Sequence, residues 1–234
     1  MKSVYDLTTA DIMNVAVCLV SSDCLLGQAA RQMAEDQISS IVITDNGKPL
    51  GILTERDLLK LAHAHISPLT PINEVMTSPV VTIKKKCTIE TALTLFLDRP
   101  IRHLVVVDEH DWVAGIVSES DFFRHMGVTL VRQLGDLNGI MDKELPRIHS
   151  SSSLDEAIAL MLLKQSSYVL VMEDEKTLGI LTERDIPAVI SAMNSSPLNL
   201  IPVVQIMHQP AMTVPSTTAV LDALELMQCQ SLQH

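Results

Sequence analysis

The chain has 234 residues, 47% hydrophobic and 19% charged, which is enough apolar material for one or two packed domains and too much for a disordered polymer. Its net charge of −11 and its few aromatic residues (one Trp, two Tyr, three Phe) exclude a nucleic-acid surface, which needs a basic stripe and stacking rings. No apolar run approaches the ~18 residues of a membrane-spanning helix, MKSVYDLTTAD lacks a secretory apolar core, and cysteines 18, 24, 87 and 229 form no CxxC pair, so a cytoplasmic segment with reduced, mostly buried thiols and no membrane contact is expected.

Along the chain, AVCLV (16–20) is a short β-type run, and LLGQAARQMAED (25–36) sets Leu25, Ala29 and Met33 at helical spacing. SIVIT (40–44) and PLGIL (49–53) read as strands joined by DNGK, whose Asn-Gly is a hairpin signal, and a second helix begins after Thr54. The predicted order is strand, helix, strand, strand, helix. VVTI (80–83), TIETALTLFLD (88–98), HLVVVD (103–108), a turn at EHDW, AGIV (114–117) and a helix from Ser118 repeat that order. RIHS (147–150), SLDEAIALML (153–162), YVLVME (168–173), a turn at DEKT, LGIL (178–181) and a helix from Thr182 repeat it again. Uninterrupted apolar runs such as LVVVD suit strands covered on both faces.

The copies have a fixed period. GILTERD occurs at 51–57 and 179–185, with GIVSESD at 115–121, so Gly51, Gly115 and Gly179 are 64 residues apart at each step, as are Asp57, Asp121 and Asp185. Ile12-Met13, Val75-Met76, Ile140-Met141 and Ile206-Met207 open four copies, and Ala29, Ala92, Ala157 and Ala223 mark their first helices. There are therefore four starts and three endings. Eleven residues beyond those alanines lie Ser40, His103, Tyr168 and His234, so the sequence stops at the threshold of the fourth copy's core strands. That leaves Val220, Leu224 and Met227 of the last helix under-covered, and a longer parent chain is expected. Units of about 60 residues are small for independent cores, so adjacent copies should pair. The expected division is 1–126 (repeats 12–63 and 75–125) and 127–234 (repeat 140–192 and a half-repeat, 206–234), joined by MGVTLVRQLGDLNG (126–139).

Thr54-x-x-Asp57, Ser118-x-x-Asp121 and Thr182-x-x-Asp185 match a capping box, and capping alone accounts for every letter, with the glycine easing close packing. The same geometry also serves a ligand: amides at a helix start beside a hydroxyl cradle phosphate, and a carboxylate one turn on can accept from a ribose diol. Duplication copies caps and sites alike, so recurrence does not choose. Lys84-Lys85-Lys86 reads as a solvated loop, with a ligand phosphate as the other reading. His63, His65, His125, His149 and His208 fall into no nucleophile-base or HExxH pattern, and no GxxxxGK[ST] loop exists, so neither catalysis nor a metal site is expected.

Over nearly its whole length the chain resembles tandem CBS domains, the cystathionine-β-synthase-type repeats whose pairs are called Bateman modules. The resemblance rests on the Ile/Val-Met starts, IRHLVVVD (101–108), and the G-apolar-apolar-T/S-x-x-D stretches at 51–57, 115–121 and 179–185. It implies an α+β fold, sheets of two repeats packed face to face, and clefts that bind adenine nucleotides or related adenosyl compounds. On that basis Thr54, Ser118 and Thr182 would contact phosphate or ribose, and Asp57, Asp121 and Asp185 the ribose diol. Gly51 and Gly115 belong to the same motif, and Arg102 and His103 sit where the family often places phosphate-facing groups. Copy two departs with Ser118 and Ser120, and copy four lacks the motif. The implied function is a non-catalytic, homodimeric regulatory region with AMP, ADP or ATP as ligand, no obligatory cofactor, and an output domain C-terminal to it. A structural dimerisation scaffold is the alternative.

Overall fold

A computed structural model of the chain describes residues 7–126, 135–192 and 197–230. A short helix α1 (Thr9–Ile12) precedes copy one, which runs β1 (Leu19–Ser21), α2 (Leu26–Asp36), β2 (Ser40–Asp45), β3 (Lys48–Thr54) and α3 (Glu55–His63). Copy two runs β4 (Thr82–Lys84), α4 (Ile89–Asp98), β5 (His103–Val107), β6 (Val113–Ser118) and α5 (Glu119–Met126). Copy three runs β7 (Arg147–His149), α6 (Leu154–Leu163), β8 (Tyr168–Glu173), β9 (Lys176–Thr182) and α7 (Ile186–Ala192); α8 (Val220–Cys229) is the helix of copy four. The chain is α+β, with one three-stranded sheet in each of copies one to three: a parallel first pair across the helix, then an antiparallel hairpin. Asn46 and Gly47 both take positive φ (48° and 80°), the conformation that a two-residue type I′ turn requires. Of the joining segment expected at 126–139, residues 127–134 lie outside the described residues, as does His234.

One expectation fails in detail. The helix after Thr182 is broken into a single 3-10 turn, Glu183–Asp185, followed by α7, whereas α3 is continuous. Pro187 stands where copy one has Leu59. Its ring carries no N–H for the carbonyl of Glu183 and crowds it, so the first turn closes instead through the Ile186 N–H onto that carbonyl.

Two compact units emerge. The first gathers the described residues within Met1–Leu25, Ser40–Thr54 and Pro71–Gly127. Here β5 is buried on both faces, as its apolar run predicts. Leu104 and Val106 join Ile83, Ala92, Phe96, Val117, Phe122 and Ile12 on the helix side, where Phe96 and Phe122 meet edge to face at 5.3 Å. Val105 and Val107 instead pack with Val42 and Ile52, so the sheets of copies one and two face each other.

The second unit gathers the described residues within Leu26–Ser39, Glu55–Thr70 and Val128–His234, and therefore includes α2 and α3 of copy one. α2 packs on α7, and α3 on α6 and α7. Leu26, Ala29, Ala30, Met33, Leu58 and Leu59 are fully buried there, as are Leu154, Ala157, Ile158 and Ile186. Val220 is buried rather than under-covered, and beside it Asp136 bridges Ala219 and the Val220 N–H donates to the Gly135 carbonyl; Leu224 and Met227 are half-buried. Cysteines 18, 24 and 87 are half-buried and Cys229 is exposed, less enclosed than expected. Among the described residues no helix is long and apolar enough to cross a membrane.

Candidate functional site

Each hairpin brings the motif hydroxyl opposite the first residue of the central strand: Thr54 opposite Ser40, Ser118 opposite His103, Thr182 opposite Tyr168. The strand then enters a helical turn, and the aspartate three residues on folds back. Asp121 Oδ2 accepts from the Ser118 N–H at 2.8 Å and from its hydroxyl at 2.7 Å. Asp185 Oδ2 accepts from the Thr182 N–H at 2.8 Å and its hydroxyl at 3.0 Å. A third example, not singled out from the sequence, is Thr8 with Asp11, at 2.8 and 2.7 Å.

Thr182 with Asp185, and Thr8 with Asp11, form capping boxes. In a full box the hydroxyl accepts from the third residue's amide, as Ser153 does from the Glu156 N–H at 3.2 Å while Glu156 returns to the Ser153 N–H at 2.9 Å. At Ser118 and Thr182 the hydroxyl also donates to the carboxylate. One carboxylate oxygen thus takes two bonds, and the other is oriented by them. In copy three that second oxygen, Asp185 Oδ1, lies 2.6 Å from His208 Nε2. His208 is 71% exposed and Asp185 10%, so the imidazole sits over an otherwise enclosed acid.

Thr54 ends β3 in the first unit; Asp57 lies in the first turn of α3 in the second, with Oδ1 3.5 Å from Lys60 Nζ. Arg102 and His103 are half-buried; the Arg102 carbonyl accepts from the Glu119 N–H at 3.2 Å, which places both residues beside Ser118. Lys84 and Lys86 are engaged by the β5–β6 turn: Lys84 Nζ reaches the Asp108 carbonyl at 2.8 Å and Asp111 Oδ1 at 2.6 Å, and Lys86 Nζ reaches Glu109 at 2.7 Å. In the second unit a cavity of about 470 Å³ is lined by residues including Asp142, Pro146, Lys164, Ser167 and Tyr168. Burial, and secondarily the Asp142 charge, pushes the Tyr168 phenol pKa up.

The motif glycines have a steric role. A Cβ on Gly115 would lie 2.5 Å from Met13 Sδ and 3.1 Å from the Asn14 carbonyl oxygen. One on Gly51 would overlap Met76 Sδ, with Thr77 O at 3.0 Å; one on Gly179 would overlap the His208 carbonyl oxygen, with Met207 Sδ at 2.9 Å. The backbone beside each is tied by paired bonds: Ile116 with Asn14 (3.0 and 2.8 Å), Ile52 with Thr77 (3.0 and 2.9 Å), Ile180 with His208 (3.0 and 2.8 Å). The Met that opens one copy therefore locks under the glycine of its neighbour, and in the first unit the exchange is mutual.

Sequence reading missed why copies one and three share TERD. Glu55 and Glu183 are 4% and 3% exposed, whereas Glu119 of copy two is exposed. Arg56 Nη1 donates to the Ser166 carbonyl at 3.1 Å and lies 3.7 Å from Glu183 Oε2; Arg184 Nη2 donates to the Gln37 carbonyl at 3.0 Å. The arginines bind copy one's helices to copy three. In copy two an exposed serine, Ser120, stands where the other copies have these arginines. Among the described residues no group of three or more His, Cys, Asp or Glu side chains is placed to hold a metal ion.

A family model described as "CBS domain" matches residues 9–64, 72–127 and 134–192. Hypoxic response protein 1 of Mycobacterium tuberculosis is 33% identical over 124 residues, 51% of this chain and 86% of that protein. Protein MK0525 of Methanopyrus kandleri is 34% identical over 100 residues, 42% of this chain; the match spans only 51% of that relative. Among solved structures, protein MJ1225 of Methanocaldococcus jannaschii, described as a proposed archaeal homologue of γ-AMPK, superposes with a TM-score of 0.80 at 16% identity, covering 97% of this chain and 91% of that one. At that identity the likeness shows the fold alone.

Proposed function

The chain belongs to the CBS-domain family, and from that premise we propose that it is a non-catalytic regulatory region that senses adenine nucleotides or related adenosyl ligands in clefts beside its T/S-x-x-D motifs. The observation that carries the reading is the doubly bonded aspartate. Ser118 and Thr182 hold Asp121 and Asp185 through one oxygen and orient the second, which is how a carboxylate is prepared for a diol. Thr54 and Asp57, Ser118 and Asp121, and Thr182 and Asp185 are the proposed phosphate- and ribose-facing pairs. Arg102 and His103, beside Ser118, are the proposed phosphate contacts of copy two. Gly51 and Gly115 contribute by letting the neighbouring copy's lead-in segment close over the site. Occupancy would bias the relative arrangement of paired repeats, and an output domain, homodimerisation and a cytoplasmic setting complete the proposal. The division into 1–126 and 127–234 stands as part of it.

Isothermal titration of the chain with AMP, ADP and ATP tests the reading. Heat and a rise in melting temperature at sub-millimolar nucleotide, both lost when Asp57, Asp121 and Asp185 are all changed to Ala, are expected. Absence of both at millimolar nucleotide overturns it. A second reading, a ligand-free scaffold, is favoured by the fact that Asp121 and Asp185 already cap their turns. It predicts that the same substitutions cost ~0.5–2 kcal/mol of stability and alter no binding.

A further inference from the structure

We propose that the copy-three cavity takes an adenosyl ligand bearing a positively charged group and ranks it above the phosphorylated nucleotides. This rests on the sensing reading and names the ligand class for one of its sites.

The cavity is walled by two stretches of the second unit: Asp142, Glu144 and Pro146 ahead of β7, and Lys164 to Tyr168 between α6 and β8. Its volume of about 470 Å³ falls in the range of small-ligand pockets. Tyr168 lies opposite Thr182 across the β8–β9 hairpin, which sets the cavity beside the motif that ends in Asp185.

The repeat period allows the same positions to be compared in copy two. Counted from Met76 and Met141, Asp142 and Glu144 stand where copy two has Thr77 and Pro79. His103 lies opposite Ser118 as Tyr168 lies opposite Thr182, so Ser167 and Tyr168 stand where copy two has Arg102 and His103. Lys164 matches Arg99, counted from Ala157 and Ala92, and does not distinguish the copies. Across the changed positions a guanidinium and an imidazole are lost and two carboxylates appear. The letters of copy two attract a phosphate, whereas those of copy three repel it and attract a cation.

The carboxylates keep their charge. Both are exposed, and Asp142 Oδ1 accepts from the Glu144 N–H at 2.9 Å, a neutral donor that leaves both negative charges in place. Among the described residues of the lining, the positive charge of Lys164 is opposed by these two. The Asp142 charge is also felt at the ring: burial first, and that charge second, push the Tyr168 phenol pKa up. Tyr168 is therefore a neutral aromatic wall among acids, a surface suited to a base edge or to a cation.

Three probes that differ in charge at the 5′ carbon test this: adenosine, AMP and 5′-amino-5′-deoxyadenosine. They are titrated calorimetrically into the full chain carrying Asp57→Ala and Asp121→Ala, so that the motif of copy three alone is intact. The amine should bind on the order of ten-fold more tightly than AMP, with adenosine between them. Adding Asp142→Asn and Glu144→Gln should abolish that ranking and keep adenosine binding; both positions are exposed, and the melting temperature verifies the fold. AMP binding more tightly than the amine, equal binding of all three probes, or a ranking that survives the neutralised acids overturns the proposal and leaves the sensing reading intact. So does failure of all three probes in this background when the unaltered chain still binds AMP. If the unaltered chain binds none of them, the sensing reading falls and the proposal falls with it.

Discussion

Arg56 and Glu183 sit in different copies 127 positions apart, yet Arg56 Nη1 lies 3.7 Å from the Oε2 of that 3%-exposed acid. The same guanidinium also holds the Ser166 carbonyl, and Arg184 holds the Gln37 carbonyl in return. The repeated TERD is thus a joint between copies as well as a helix start.

Arg56→Met should destabilise the chain by about 3 kcal/mol, because it removes a cation 3.7 Å from a buried carboxylate. Adding Glu183→Gln should recover most of that loss, as the remaining group is neutral. Urea unfolding of the two single variants and the double variant measures the coupling; additive effects would mean the pair does not interact.

Gly115→Ala should cost roughly 2 kcal/mol through overpacking against Met13. Met13→Ala in the same chain should relieve part of it, since the obstructing sulfur is the end of a flexible side chain, while the nearby Asn14 carbonyl remains. A thermal double-mutant cycle reads the result.

His208 covers the oxygen of Asp185 that the sensing reading assigns to a ligand. His208→Ala should therefore tighten nucleotide binding at copy three several-fold. The measurement is calorimetric titration in an Asp121→Ala background. Weaker binding would show that the imidazole is itself a ligand contact.

The β5–β6 turn should carry a mild pH dependence. A hydrogen bond from Lys84 lowers the Asp111 pKa, one from Lys86 lowers that of Glu109, and the Trp112 N–H lowers that of Asp108. Because the folded values lie below the ordinary ones, this stabilisation is complete above the usual carboxylate range and disappears as pH falls through the depressed values. Lys86 is raised, chiefly by Glu109, so its share persists below the usual lysine value and disappears above the raised one. Carboxyl NMR titration should place all three acids below their usual values, and high salt should reduce the shifts because the groups are exposed.

Local chemistry was legible in the sequence and cross-copy chemistry was not. The Asn46-Gly47 turn, the strand and helix order, and the hydroxyl–aspartate pairs depend on residues within four positions of one another. The burial of Glu55 and Glu183, the cover over Asp185, and the glycine–methionine locks depend on which copies meet, and periodicity does not encode that. Pro187 was readable but passed over: a proline two residues beyond the motif aspartate forbids the continuous helix that copy one forms. The apolar run of β8 looks like that of β5, yet Leu170 and Met172 are half-buried where Val105 and Val107 are buried.

The division of copy one between the two units bears on any attempt to dissect the chain. A fragment ending at residue 126 would retain α2 and α3 but lose α6 and α7, against which they pack. Leu26, Met33, Leu58 and Leu59 would then meet solvent. Such a fragment should therefore expose the apolar faces of α2 and α3, and a protease nick between the halves should leave two pieces of polypeptide that remain associated.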